Sequence, residues 1–140
     1  MVYLDTSVAV PLFVPEPASD RVAAWFAGCS DTLVAGDWIV TEFASALSLK
    51  ERRREITTLQ ARAVWSEFEA FCATGLRLVP VTRKAFAEAA LMLRDSTTGL
   101  RAGDSLHLAI ALEMGVSSLV TADATLDANA GQKGLSTIRF

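Results

Sequence analysis

Positive charge is in short supply in this chain. Thirteen Lys and Arg residues face sixteen Asp and Glu, giving a formal net charge of −3 and a pI near 5.1. That balance argues against gripping nucleic acid by bulk electrostatics, though not against reaching it through a bound cation. No apolar run has the length of a membrane span. No basic leader opens the chain, and Asp5 falls where the apolar part of a signal peptide would run. A cytoplasmic protein without membrane attachment is therefore expected. Cysteine is scarce: Cys29 and Cys72 stand far apart without metal-ligand spacing and read as reduced, packed thiols. Internal repeats, linkers and low-complexity segments are missing.

What is present is largely apolar. Hydrophobic residues make up 51% of the chain and mean hydropathy is +0.34, which excludes disorder. A length of 140 residues suits one domain, 1–140, with a sizeable core.

The first seven residues organise the rest. Val2-Tyr3-Leu4 is a short run of strand formers that stops at Asp5. Thr6 and Ser7 follow, either of them suited to cap a helix beginning at Val8. This order predicts Asp5 at the carboxyl end of a strand, the edge where open α/β sheets bind ligands. Pro15-Glu16-Pro17 breaks the pattern, and a helix is expected over 18–27. A buried strand over 32–35 leads to a helix from Trp38 to about Arg54, with Asp37 as its cap and Glu42 in or near its first turn. Thr57 or Thr58 opens a long helix that Gly75 stops. Strands are expected over 76–81, 118–121 and 137–140. Helices are expected from Thr82 to Arg94, from Ala102 to Met114 and near Leu126 to Ala130. The alternation predicts an α/β fold with a central, mainly parallel sheet of four to five strands covered on both faces.

Four carboxylates fit a solvated surface poorly. Asp5 ends a strand among apolar residues, and Glu42 follows the second strand beside Val40, Phe43 and Ala44. Asp104 lies in the most apolar helix, and Asp123 directly follows the fourth strand. Each has an ordinary alternative: helix cap for Asp5, dipole-compensating acid for Glu42 and Asp104, turn residue for Asp123. Isolated buried carboxylates are costly, and like charges in one pocket raise each other's pKa. No run of Lys or Arg sits beside them in sequence. A hard divalent cation, Mg²⁺ or Mn²⁺, is the natural remedy and suggests phosphodiester chemistry by a metal-activated water.

Tyr3-Leu4-Asp5-Thr6-Ser7, Thr41-Glu42, Gly103-Asp104-Ser105-Leu106-His107-Leu108-Ala109 and Leu119-Val120-Thr121-Ala122-Asp123 together resemble the four acidic motifs of the PIN domain. Their order and separation match over almost the whole chain, and the size is most similar to the VapC toxins of VapBC toxin–antitoxin pairs. The resemblance implies a three-layer α/β/α fold and Mg²⁺- or Mn²⁺-dependent endoribonuclease activity on an RNA substrate. It also implies a homodimer, and a VapB-type antitoxin that binds it in a hetero-oligomer and covers the pocket. It carries catalytic roles to Asp5, Glu42, Asp104 and Asp123. Among these Asp5, Asp104 and Asp123 are metal ligands, with Thr6 and Glu42 supporting them from behind.

Ser7 and Asp127 are further candidates. Asp127, one helical turn beyond Asp123, shares the fourth acidic role or is a surface acid, the latter preferred. His107 reads as a packed, hydrogen-bonded histidine rather than a general base. Arg52-Arg53-Arg54 reads as a solvated helix end complementing the dipole. Two phosphate-handling relatives of this sheet architecture are excluded. A haloacid-dehalogenase-like phosphatase needs an aspartate where Ser7 stands, and a response-regulator receiver needs an acidic pair and a late lysine that are not in place. An RNA-processing PIN nuclease without an antitoxin, and a catalytically inactive PIN-like protein-binding module, are the alternatives to a toxin.

Overall fold

The central strand β1 (Val2–Leu4) feeds two hydrophobic cores at once. Side chains alternate along a strand, so Val2 and Leu4 enter one core and Tyr3 the other. A computed structural model describes residues 1–140. After β1 come α1 (Thr6–Phe13), α2 (Ser19–Gly28), β2 (Leu33–Gly36), α3 (Trp38–Arg52) and α4 (Thr58–Thr74). Then follow β3 (Arg77–Val79), α5 (Arg83–Leu93), α6 (Ala102–Met114), β4 (Ser118–Thr121), α7 (Ala124–Gln132) and β5 (Ser136–Arg139).

The sheet runs β3-β2-β1-β4-β5, every pairing parallel. The chain builds outward from β1 through β2 to β3, then crosses to β4 on the other side. The switch point, where ligands bind in such sheets, therefore lies beyond the carboxyl ends of β1 and β4. Leu4 pairs with Val120 there, which sets Asp5 beside Thr121. Helices α1 to α4 cover one face and α5 to α7 the other, giving the three layers expected.

Aromatic packing fixes α3, the helix that carries Glu42. Its buried stripe is Ile39, Phe43 and Leu47. Phe43 stacks on Phe68 of α4 with ring centroids 3.8 Å apart, and Phe13 of α1 packs edge-on against both. Helix α6 is buried continuously from Ser105 to Ala111, as its all-round apolar sequence requires.

Local details depart from expectation. The first helix starts at Thr6, so Asp5 takes the N-cap position, with a side chain that caps nothing. Asp37 has helical backbone and makes no capping bond. Glu42 stands in the second turn of α3, not the first. Helix α3 ends at Arg52 because Arg54 adopts a left-handed φ of 60°. Strand β3 is only three residues long, since Pro80 has no N–H to continue the ladder. The hydroxyl caps expected at Thr57 and Thr82 are found, Thr57 in a capping box with Gln60 and Thr82 accepting the Ala85 N–H, whereas Thr6 and Ser7 lie inside α1 and cap nothing.

Candidate active site

Four chain segments converge at the switch point. Asp5 comes from the end of β1, Glu42 from α3, Asp104 from the first turn of α6 and Asp123 from the end of β4, where it is the N-cap of α7. All four line one pocket of about 350 Å³, with Thr6 and Ser7 on its wall. Asp127 turns away, accepting from Thr137 and pairing with Arg139 of β5 at 3.3 Å.

Asp5 is almost fully buried. Its Oδ2 accepts from Thr121 Oγ1 at 2.8 Å and from Ser7 Oγ. Ser7 in turn accepts the Ala122 N–H at 2.8 Å. Thr121 gave no signal in the sequence beyond preceding Ala122-Asp123. It ties the two strand ends together, because the Asp123 N–H also donates to its Oγ1 at 2.9 Å. Asp123 Oδ1 accepts the N–H groups of Thr125 and Leu126, leaving Oδ2 toward the pocket.

Beneath the pocket lies His107, 1% exposed. The Gly36 N–H donates to Tyr3 Oη at 3.2 Å, so the phenol's own proton points to His107 Nδ1, 2.9 Å away. That assignment leaves the imidazole proton on Nε2. Nε2 lies 2.5 Å from Glu42 Oε2 and 3.4 Å from Asp5 Oδ1. Thr6 Oγ1 donates to the same Glu42 oxygen at 2.6 Å. Burial opposes ionisation of Glu42, but the bond from His107, its charge, and the bond from Thr6 hold the carboxyl below the usual range. Burial likewise opposes charge on His107, and the surrounding carboxylates of Glu42 and Asp5 outweigh it and raise its pKa. The packed, hydrogen-bonded role expected of His107 is the one found.

The outer half of the pocket has a cation, Arg101. Arg101 Nε lies 3.4 Å from Asp104 Oδ2 and its Nη2 lies 3.0 Å from Asp123 Oδ2. The absence of a basic run in sequence was thus misleading: one arginine three residues before Asp104 pairs with two of the four acids, and the N–H of one histidine three after it serves the other two. Burial raises the Asp104 pKa, and Asp123 and Asp5 add to it, against the Arg101 N–H and guanidinium. Close approach of α6 to α3 depends on Gly103, where a β-carbon would overlap Glu42 Oε1. Trp38 Nε1 is buried on the same side without a hydrogen-bond partner of its own.

The donor set fits a hard divalent cation. Asp5, Glu42, Asp104 and Asp123 line the pocket with carboxylate oxygens, and the ligand-type atoms of Asp5, Glu42 and His107 lie within 4.8 Å of one another. With its proton on Nε2, the imidazole acts there as a donor to carboxylates, leaving carboxylate oxygens to face an ion.

A PIN domain model matches residues 2–132. The chain belongs to the PIN domain family. Ribonuclease VapC45 of Mycobacterium tuberculosis is 30% identical over 122 residues, covering 87% of this chain and 82% of the relative. Among solved structures, the sarcin–ricin loop cleaving toxin VapC20 of M. tuberculosis superposes with a TM-score of 0.75 at 17% identity, covering 92% of this chain and 95% of that one. VapBC2 of Rickettsia felis, solved with a DNA fragment from its promoter, gives a TM-score of 0.67 at 15% identity, covering 100% and 99%. The α/β/α PIN fold is thereby shared across these proteins, and no helix of this one is long and apolar enough to cross a membrane.

Proposed function

We propose that this PIN domain is the toxin of a VapBC-type pair, a Mg²⁺- or Mn²⁺-dependent endoribonuclease held in check by a VapB-type antitoxin. The observation that carries this reading is the convergence of Asp5, Glu42, Asp104 and Asp123 on one pocket at the sheet's switch point. The ribonuclease relatives support the reaction, and the VapBC neighbour supports the antitoxin. RNA as substrate supports a cytoplasmic location, and likeness to VapC toxins supports a homodimer.

A bound divalent ion would polarise a phosphoryl oxygen and lower the pKa of its water near neutrality. Asp5, Asp104 and Asp123 are the residues that would hold it. Asp5 is anchored at Oδ2, which leaves Oδ1 the freer oxygen. Glu42 is fixed at Oε2 by Thr6 and His107, so its carboxylate stays ionised to orient water and accept a proton. The water oxygen bonds to phosphorus and gives its proton to Glu42 as the bond to the leaving ribose oxygen breaks, and that oxygen takes a proton from solvent.

RNA cleavage by the purified protein tests the assignment, with Mn²⁺ titrated by calorimetry alongside. Wild type should bind Mn²⁺ and cleave RNA, chelator should stop cleavage, and Asp5→Asn should weaken binding and abolish cleavage while keeping the fold. A wild-type protein that binds no Mn²⁺ and cuts no RNA would sink the nuclease reading and leave a protein-binding module.

A further inference from the structure

The pocket holds two basic side chains of opposite character. His107 is sealed beneath Glu42 and Asp5 by Tyr3. Arg101 bridges Asp104 and Asp123 from outside, with a side chain 79% exposed. Its backbone N–H is committed to Asp104 Oδ2 at 2.9 Å, which anchors the residue independently of its exposed guanidinium. Only the exchangeable cation lies between the two acids at the mouth.

We propose that Arg101 is a resident counter-ion that yields Asp104 and Asp123 to the divalent metal, and once released grips a phosphate of the RNA strand at the pocket mouth. This rests on the metal-dependent ribonuclease reading above. An exposed arginine pair is weakly held, because solvent screens it and ordering the long side chain costs entropy. A doubly charged hard cation among four carboxylates displaces it. The guanidinium fork that fits two carboxylates fits a phosphate equally well. The need is specific to this chain: with a net charge of −3, its surface does not attract RNA by bulk charge. A freed Arg101 supplies positive charge beside the reacting phosphate only after metal has entered. Metal and RNA binding are then coupled, each strengthening the other.

The test compares wild type, Arg101→Gln and Arg101→Lys by binding. Mn²⁺ affinity is read by calorimetry. RNA affinity is read by fluorescence anisotropy with a labelled RNA of about twelve nucleotides, with and without Mn²⁺, each protein carrying Glu42→Gln so that the RNA is bound and not cut. Arg101→Gln should bind Mn²⁺ about fivefold more tightly, and the RNA about tenfold more weakly in Mn²⁺. Arg101→Lys should recover part of both changes, because it keeps the charge and loses the fork. Opposite signs for metal and RNA are not expected from damage to the fold. Unchanged or weaker Mn²⁺ binding by Arg101→Gln would overturn the counter-ion role, and unchanged RNA binding would overturn the phosphate role. If wild type itself bound no Mn²⁺, the metal-dependent reading would fall and this proposal with it. Equal Mn²⁺ and RNA binding by all three proteins would remove this proposal alone.

Discussion

Gly103 and the Glu42 carboxylate share one space, since a β-carbon at position 103 would overlap Glu42 Oε1. Gly103→Ala therefore sets two effects against each other. Alanine in a helix gains about 0.5–1 kcal/mol over glycine. Displacing Glu42 loosens its bonds to Thr6 and His107, each worth about 1.5–3 kcal/mol because a charge is involved. The second effect is larger, so denaturant unfolding should show a net loss of about 1–3 kcal/mol, with RNA cleavage falling at least about tenfold. A stabilised, fully active variant would show that Glu42 is not held by this contact.

Tyr3→Phe tests the tautomer lock. The ring and its edge-on packing against His107, 5.7 Å between centroids, are kept. The Gly36 N–H loses its acceptor and His107 Nδ1 its donor, both in the core. Each buried group left unpaired costs about 1–3 kcal/mol, so a loss of about 2–4 kcal/mol is expected at unchanged m-value. Nitrogen NMR of the single histidine should show the Nε2–H form giving way to a mixture. An unchanged midpoint and an unchanged histidine spectrum would mean that Tyr3 does not set the proton.

Asp5 and Asp123 were legible because each directly follows a strand, and a parallel sheet gathers strand ends on one edge. Glu42 and Asp104 lie on helices, and their place in the pocket depends on how α3 and α6 pack. For Glu42 that packing is the Phe43–Phe68 stack, between residues on different helices, and a one-dimensional pattern shows the stripe but not its partner. His107 was legible as buried, but its role comes from Tyr3 and Glu42, which are 104 and 65 positions away. Arg101 was visible as a neighbour of Asp104; its second partner, Asp123, becomes a neighbour only when α6 and β4 meet. Caps were legible at Thr57 and Thr82, and not at Asp37, whose backbone is already helical, nor at Thr6 or Ser7, because α1 begins at Thr6 itself.

Lys50 ties the end of α3 to the proline-flanked turn before α2. Its Nζ lies 2.6 Å from Glu16 and 3.3 Å from Glu55, and its side chain is 16% exposed. Burial alone would lower its pKa, but the two carboxylates outweigh this and raise it. A lysine pKa raised by folding gives stability that is fully present below the unfolded value of 10.5 and is lost as pH rises through the folded one. Lys50→Met should therefore cost about 1 kcal/mol at neutral pH. The gap between variant and wild type should narrow in the alkaline range above the ordinary lysine value, as read from urea midpoints at several pH values. A gap that stayed constant through that range would assign the loss to packing of the side-chain stem instead.

The metal-free fold works against the charge on Asp104. Burial and the charges of Asp123 and Asp5 raise its pKa, so folding favours the neutral form. Stability linked to that form is present at low pH and lost as pH rises from the ordinary carboxylate value through the raised one. Asp104→Asn keeps the shape and an oxygen for the Arg101 N–H while removing the charge. It also removes attraction for the Arg101 guanidinium, but that side chain is exposed, and such a pair is worth about 0.2–1 kcal/mol. Relief of burial and repulsion should outweigh this, raising the metal-free melting temperature at neutral pH by about 2–4 °C. Adding Mn²⁺ should reverse the order, because a ligand that binds only the folded state raises wild type in proportion to its affinity, and the variant has lost a ligand oxygen. A metal-free variant melting below wild type would show that the Arg101 pair outweighs repulsion, and that the outer acids are held together by their arginine rather than strained by each other.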